Sequence, residues 1–122
     1  ALAESRGAAG MIIDGSIRDA GALRAAQFPV YARGVTHRGP YKNGPGEINV
    51  PISLGGTIVN PGDIIVGDED GLVAIPPSEA RALVGIAKDY AAKEQAILKA
   101  IEGRTLDRGW VDKLLKERGC EF

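Results

Sequence analysis

The sequence predicts an α/β fold with a mixed sheet and C-terminal helices, on three observations. Apolar runs and Ala-rich amphipathic stretches alternate over residues 1–35, the order of a parallel βαβ-type start. Four short β-branched runs, separated by Gly, Pro and Asp turn signals, fill residues 49–76. From Ser78 onward the apolar residues recur at helical spacing.

Taken in order, "ALAESRGAAG" (residues 1–10) reads as the last turns of an Ala-rich helix closed by Gly7 or Gly10. It lacks an initiating Met, and the expectation is a single domain over residues 1–122 that lacks an N-terminal segment. "GMII" (residues 10–13) is a short strand ended by an Asp14-Gly15 turn. "SIRDAGALRAAQ" (residues 16–27) carries Ile17, Ala20, Leu23 and Ala26 on one side of a weak helix interrupted by Gly21. Phe28-Pro29 stops it, and "VYARGV" (residues 30–35) is the next strand.

Residues 36–48, "THRGPYKNGPGEI", are rich in glycine and proline and predict a long surface loop. "NVPISL", "GTIV", "DIIVGD" and "GLVAIP" then predict an antiparallel meander or small barrel-like sheet. Its turns fall at residues 60–63 and 68–71, where Pro61 presets φ and Gly62 takes the position that needs φ > 0. Pro76-Pro77-Ser78 supplies a break and an N-cap, with Glu79 in the first turn and Gly103 closing the helix. "DRGWVDKLLKERG" (residues 107–119) is a second helix, with Trp110, Leu114 and Leu115 as its packing side.

One residue of the long helix breaks its pattern. The stripe Leu83, Ala87, Tyr90, Ile97, Ile101 has Glu94 near its middle. Burying a lone carboxylate costs on the order of several kcal/mol. Either Glu94 meets a basic group or a water-filled cleft, or the helix lies at an edge and Glu94 reaches solvent.

Composition removes several function classes. Fifteen basic against sixteen acidic residues leave no electrostatic footprint for nucleic acid. No apolar run approaches the ~20 residues that span a bilayer, and no secretory leader opens the chain. One Cys, Cys120, and one His, His37, cannot build a Cys/His zinc site or a Cys–His catalytic pair. Cys120 makes no intrachain disulfide, which fits a reducing cytosol. No phosphate-loop pattern is present, and His37 and Lys42 read best as solvated loop residues.

Oxygen-donor chemistry remains. Asp14, Arg18 and Asp19 cluster where a strand hands over to a helix, the position at which open α/β sheets bind ligands. A carboxylate there suits Mg²⁺ or Mn²⁺, which keep several waters, and Arg18 could hold a substrate carboxylate. Equally, Asp14-Gly15 could be a plain turn, with Asp19 at a helix N-terminus and Arg18 paired to Asp14. Spacing alone leaves both readings open and favours the second.

The segments "GMIIDGSIRD", "FPVYARG", "VPISLGGTIVNPGDIIVGDEDGLVAIP" and "AAKEQAI" together resemble the RraA-like family. That family includes 4-hydroxy-4-methyl-2-oxoglutarate aldolases with oxaloacetate decarboxylase activity. The ordered combination "DGxxRD … PGDxxxGDxDGxxxxP" carries the resemblance, which runs along essentially the whole chain. It implies a β/β/α swivelling-domain-like fold, a cytoplasmic location and a ring-shaped homotrimer or hexamer. By position it implies that Arg18 contacts substrate and metal-bound water, and that Asp19 ligates Mg²⁺ or Mn²⁺. Glu94 would reach into a neighbouring subunit's site, and Asp14 would support the site from behind.

A further acidic residue of the aldolase pattern, and its pyruvyl-binding loop, fall before Ala1, so the resemblance is to the family's C-terminal part. The implied function is a metal-dependent lyase that cleaves a carbon–carbon bond of a small 2-oxo acid to give pyruvate. Decarboxylation of oxaloacetate makes fewer demands than retro-aldol cleavage, because it needs no base for a hydroxyl proton. The same family includes inhibitors of RNase E, so the rivals are a regulatory binding protein and an inactive family member. No direct contact with nucleic acid or membrane is implied. Some members were once labelled demethylmenaquinone methyltransferases, but no S-adenosylmethionine fingerprint occurs here.

Overall fold

A computed structural model of the chain describes residues 1–120, which fall into two compact units, Ala1–Pro77 and a helical unit from Ser78 onward. The first opens with α1 (Leu2–Ser5). Of the two candidate closing glycines, Gly7 takes the left-handed position, at φ +82°. Its N–H donates to Glu4 O at 2.9 Å and that of Ala8 to Ala3 O at 3.1 Å, the paired bonds of a Schellman ending.

β1 (Met11–Ile17) pairs in parallel with β2 (Val30–Val35), and α2 (Ala20–Ala25) forms the crossover between them. Asp14-Gly15 is not a turn. The strand continues across it, with a bulge between Ile13 and Ser16 where β1 carries one residue more than its partner. The expected start of α2 moves accordingly, because Ser16 and Ile17 still pair with Gly34 and Val35 and the helix begins only at Ala20.

β3 (Ile52–Leu54) and β4 (Thr57–Val59) form a hairpin over Gly55-Gly56, whose φ values of +63° and +87° are those a tight two-residue loop demands. The turn at residues 60–63 comes next, with Gly62 at φ +94° and the Asp63 N–H donating to Asn60 O at 3.1 Å. β5 (Ile64–Gly67) and β6 (Leu72–Ile75) form the second hairpin. At its tip Asp68 Oδ1 accepts from the N–H groups of Asp70 at 2.9 Å and Gly71 at 3.3 Å. No helix interrupts this stretch. The expected meander is corrected in one respect: β4 and β5 do not pair, so the described strands form three separate two-stranded sheets, one parallel and two antiparallel. The Asn60 N–H is already bonded to Asp63 Oδ2 at 2.8 Å and Pro61 has none to give, which turns the chain out of the ladder there.

Gly67 is where the second hairpin meets the parallel pair. A Cβ there would sit 2.5 Å from Leu72 Cδ2 and 2.8 Å from Tyr31 Oη, so any side chain at this position displaces one or both of them. Ile13, Ile17, Tyr31, Leu54, Val59 and Leu72 are half-buried, and no described side chain is fully buried.

In the second unit, α3 (Pro77–Glu102) starts one residue before the expected cap. Pro77, which has no N–H to lose, takes the first helical position and Ser78 lies inside the first turn. Its end also differs from expectation. The left-handed position belongs to Arg104, at φ +54°, while Gly103 is the residue before it; the Thr105 N–H reaches Ala100 O at 2.8 Å. α4 (Gly109–Glu117) closes on Gly119, at φ +74°. Trp110, Leu114 and Leu115, the expected packing side, are exposed, and Val111 is half-buried instead.

Candidate functional site

β1 delivers Arg18 and Asp19 to the start of α2. Asp19 occupies the N-cap position but with a left-handed backbone, φ 59° and ψ 34°, and its carboxylate makes no capping bond. An aspartate normally serves that position by accepting from the helix's free N–H groups. Here the carboxylate is left over for something else, and it stays mostly exposed, at 73 %. Arg18 Nε lies 3.4 Å from Asp19 Oδ2, a loose pair.

The segment after β2 runs beside them. The Thr36 N–H donates to Ile17 O at 2.8 Å, and a Cβ on Gly39 would lie 3.8 Å from Arg18 Nη1. The Arg18 side chain thus lies near Gly39 and is 57 % exposed. His37 and Lys42 are exposed in the same loop.

Asp14 does not pair with Arg18. Its Oδ1 accepts from Arg33 Nε on β2, and its Oδ2 accepts from the Gly55 N–H in the β3–β4 turn at 3.1 Å. The hydrogen bond from Arg33 holds the Asp14 carboxyl below its ordinary range, with the Gly55 N–H adding to the effect. Reciprocally, Asp14 holds Arg33 above its ordinary range. Arg33 and Gly55 were invisible as partners in the sequence, because nothing local ties "YARG" or "LGGT" to "DGS".

Between β1, β2 and the two hairpins lies an open cleft of about 450 Å³, lined by Asp14, Tyr31, Arg33, Gly55, Glu69 and Asp70 among others. Arg18 and Asp19 stand outside it. Glu94 is on α3, exposed like its stripe neighbours Tyr90 and Ile97. Among the described residues no three His, Cys, Asp or Glu side chains gather into a cation cage. Asp19 thus offers a single hard oxygen donor group. That is the kind of group Mg²⁺ or Mn²⁺ takes when held through one carboxylate and water. No helix of the described residues is long and apolar enough to cross a membrane.

Against known proteins, the model of the RraA-like family (Aldolase/RraA) matches residues 1–74. A Halalkalibacterium halodurans protein named "Putative 4-hydroxy-4-methyl-2-oxoglutarate aldolase" is 40 % identical over 115 residues, covering 93 % of this chain and 55 % of its own length. An uncharacterized protein of Methanocaldococcus jannaschii is 38 % identical over 99 residues, covering 81 % of this chain and 48 % of its own. The chain spans about half the length of these curated relatives.

Two solved structures share the fold. RraAS2 of Streptomyces coelicolor, described as an unusual member of the RNase ES inhibitor RraA protein family, superposes with a TM-score of 0.66 at 35 % identity. That match covers 76 % of this chain and 48 % of RraAS2. An uncharacterized Pseudomonas syringae protein gives a TM-score of 0.73 at 30 % identity, over 84 % of this chain and 52 % of its own.

Proposed function

The chain belongs to the RraA-like family, and from that premise we propose that Arg18 and Asp19 form part of a divalent-metal-dependent lyase site acting on a small 2-oxo acid to give pyruvate. The activity is that of a 4-hydroxy-4-methyl-2-oxoglutarate aldolase, an oxaloacetate decarboxylase or both. The observation that carries the reading is Asp19. At the N-cap of α2 its carboxylate makes no capping bond and stays 73 % exposed, so an oxygen donor is left open beside Arg18. The aldolase name of the Halalkalibacterium halodurans relative supports the same chemistry.

Asp19 would hold Mg²⁺ or Mn²⁺, which supplies Lewis-acid polarisation of the substrate's keto oxygen. Arg18, 57 % exposed beside Asp19, binds the substrate carboxylate and stabilises the negative charge that builds as the carbon–carbon bond breaks. Asp14 supports both through β1. Glu94 enters from a neighbouring copy, in a homotrimer or hexamer. The exposure of its stripe supports that assembly, since Tyr90 at 63 % and Ile101 at 52 % leave an apolar face that association would cover. A regulatory role on RNase E is the second reading, favoured by the description of RraAS2.

Pyruvate release from oxaloacetate and from 4-hydroxy-4-methyl-2-oxoglutarate, with and without EDTA, tests the proposal. Activity should vanish with EDTA and return with Mg²⁺ or Mn²⁺. Asp19→Ala should abolish it and Arg18→Ala should cost about 10²-fold in rate. EDTA-insensitive turnover, or near-wild-type rates in either variant, would overturn it. Inhibition of RNase E that survives both substitutions would support the second reading.

A further inference from the structure

A bulged strand that ends in two functional residues needs something to fix its direction, and in β1 that fixture is visible. Between Ile13 and Ser16 the strand carries its extra residue, and the local twist of a bulge re-aims the residues beyond it. Arg18 and Asp19 lie within five residues of that point. The Asp14 side chain, at the bulge itself, is held from two directions. Arg33 Nε bonds one oxygen from β2, and the Gly55 N–H bonds the other at 3.1 Å from the β3–β4 turn. Gly55 can make that approach because its φ of +63° is open to glycine at little cost. The Arg33 guanidinium also lies against it, since a Cβ on Gly55 would sit 3.7 Å from Arg33 Nη2.

We propose that Asp14 is the positioning residue of the Arg18–Asp19 site: one carboxylate ties the β1 bulge to β2 and to the Gly55 turn, and so fixes the angle at which Arg18 and Asp19 leave the sheet. The assignment rests on the reading of Arg18 and Asp19 as the site. It also explains why "DGSIRD", "YARG" and "LGGT" occur together in one chain. Each contributes one member of a three-point contact, and none has a local partner that would substitute. Arg33 adds charge and a directed N–H, and Gly55 adds a backbone donor that no side-chain substitution can remove except by distorting the turn. Arg18 has no part in the contact and remains free to bind.

The test compares Asp14→Asn, Arg33→Gln and the double variant in the full chain by amide hydrogen exchange and by pyruvate release. Asp14→Asn keeps an oxygen for the Gly55 N–H and loses the charge that holds Arg33, so it loosens the contact without emptying it. Each single variant should speed exchange of the amides of residues 16–19 by about tenfold, and the double variant by no more than either single one. The β5–β6 amides, which the contact does not touch, should exchange as in wild type. In the same variants kcat should fall by about tenfold or more while KM changes little, since the groups remain but are misplaced. Unchanged exchange at residues 16–19 overturns the proposal, as does acceleration spread equally over β5–β6, which would mark a general loss of stability. If the wild-type chain releases no pyruvate, the lyase reading fails by itself and the exchange data still decide the role of Asp14.

Discussion

In the β5–β6 hairpin the turn closes on itself, with Asp68 bonding the N–H groups of Asp70 and Gly71, two and three residues on. In β1 the Asp14 carboxylate bonds Arg33, 19 residues on, and Gly55, 41 residues on. Both place an aspartate beside a glycine after an apolar run, Asp68 following "IIVG" in one case and Asp14 following "MII" in the other. One makes a turn and the other a bulge in a continuing strand. The difference lies in what the carboxylate finds. When backbone N–H groups two or three residues ahead are free, the aspartate folds the chain back; when a cation on the adjacent strand captures it first, the chain runs on. Local chemistry shapes the hairpins, and long-range partners shape the segment that carries Arg18 and Asp19.

The strongest way to break that contrast is Gly67→Ala. Gly67 is the point at which a hairpin depends on a residue outside itself, because its missing Cβ leaves room for Tyr31 Oη as well as for Leu72 Cδ2. Filling that space should cost about 1–3 kcal/mol, measured as accelerated amide exchange in both β5–β6 and β2. If only β5–β6 responds, Tyr31 simply moves aside and the hairpin is as self-contained as its turn suggests.

That same contrast sets what could be read in advance. Closure of α1 by one of two nearby glycines, the turns at residues 60–63 and 68–71, and the β1–β2 pair joined by a helix were legible, because each is decided by residues close in sequence or by a simple alternation of elements. The passage of β1 through Asp14-Gly15 was not, since the partner that keeps the strand going sits on β2. The gap between β4 and β5 was missed for a subtler reason. The turn was recognised from Pro61-Gly62, but not that Asp63 would take the Asn60 N–H and leave no ladder to extend. At α3 the glycine rule misplaced the left-handed residue by one, onto Gly103 in place of Arg104, since the helix ran to Glu102 before its carbonyls were capped. Placement after an apolar strand left Arg18 and Asp19 open between a cation site and a plain turn, and their proposed roles came from the family resemblance. The left-handed backbone of Asp19 had no sequence signal, for aspartate at a helix start ordinarily announces a cap.

A second test uses pH, and its sign is set by Asp14. The bond from Arg33 lowers the folded-state pKa of Asp14 below the ordinary 3.8. The stabilisation is therefore complete above that ordinary value and is lost as pH falls below it, through the lowered one. Amide exchange around residues 16–19, followed from neutral pH down to about pH 3 and corrected for intrinsic rates, should show protection falling at the acid end in wild type. In Asp14→Asn the same amides should be less protected throughout and lack that acid-dependent step. The ladder amides of β3–β4, which bond backbone to backbone, serve as the internal comparison.

The smallest effect should come from Pro61→Ala, and it sharpens the contrast from the other side. The turn at residues 60–63 holds its shape by three devices. Pro61 presets φ, Gly62 supplies φ +94°, and Asp63 joins Asn60 twice, through its N–H to Asn60 O at 3.1 Å and through Oδ2 to the Asn60 N–H at 2.8 Å. Only the first belongs to proline, and alanine adopts the same φ without strain. What the substitution changes is the unfolded chain, which gains conformational freedom, at about 0.4–1 kcal/mol. Exchange throughout the first unit should therefore accelerate slightly and evenly, with the Asp63 amide keeping its extra protection. Loss of that protection ahead of its neighbours would mean that the ring of Pro61 itself holds the turn. The hairpins would then owe their shape to one rigid residue and not to a closed set of local bonds.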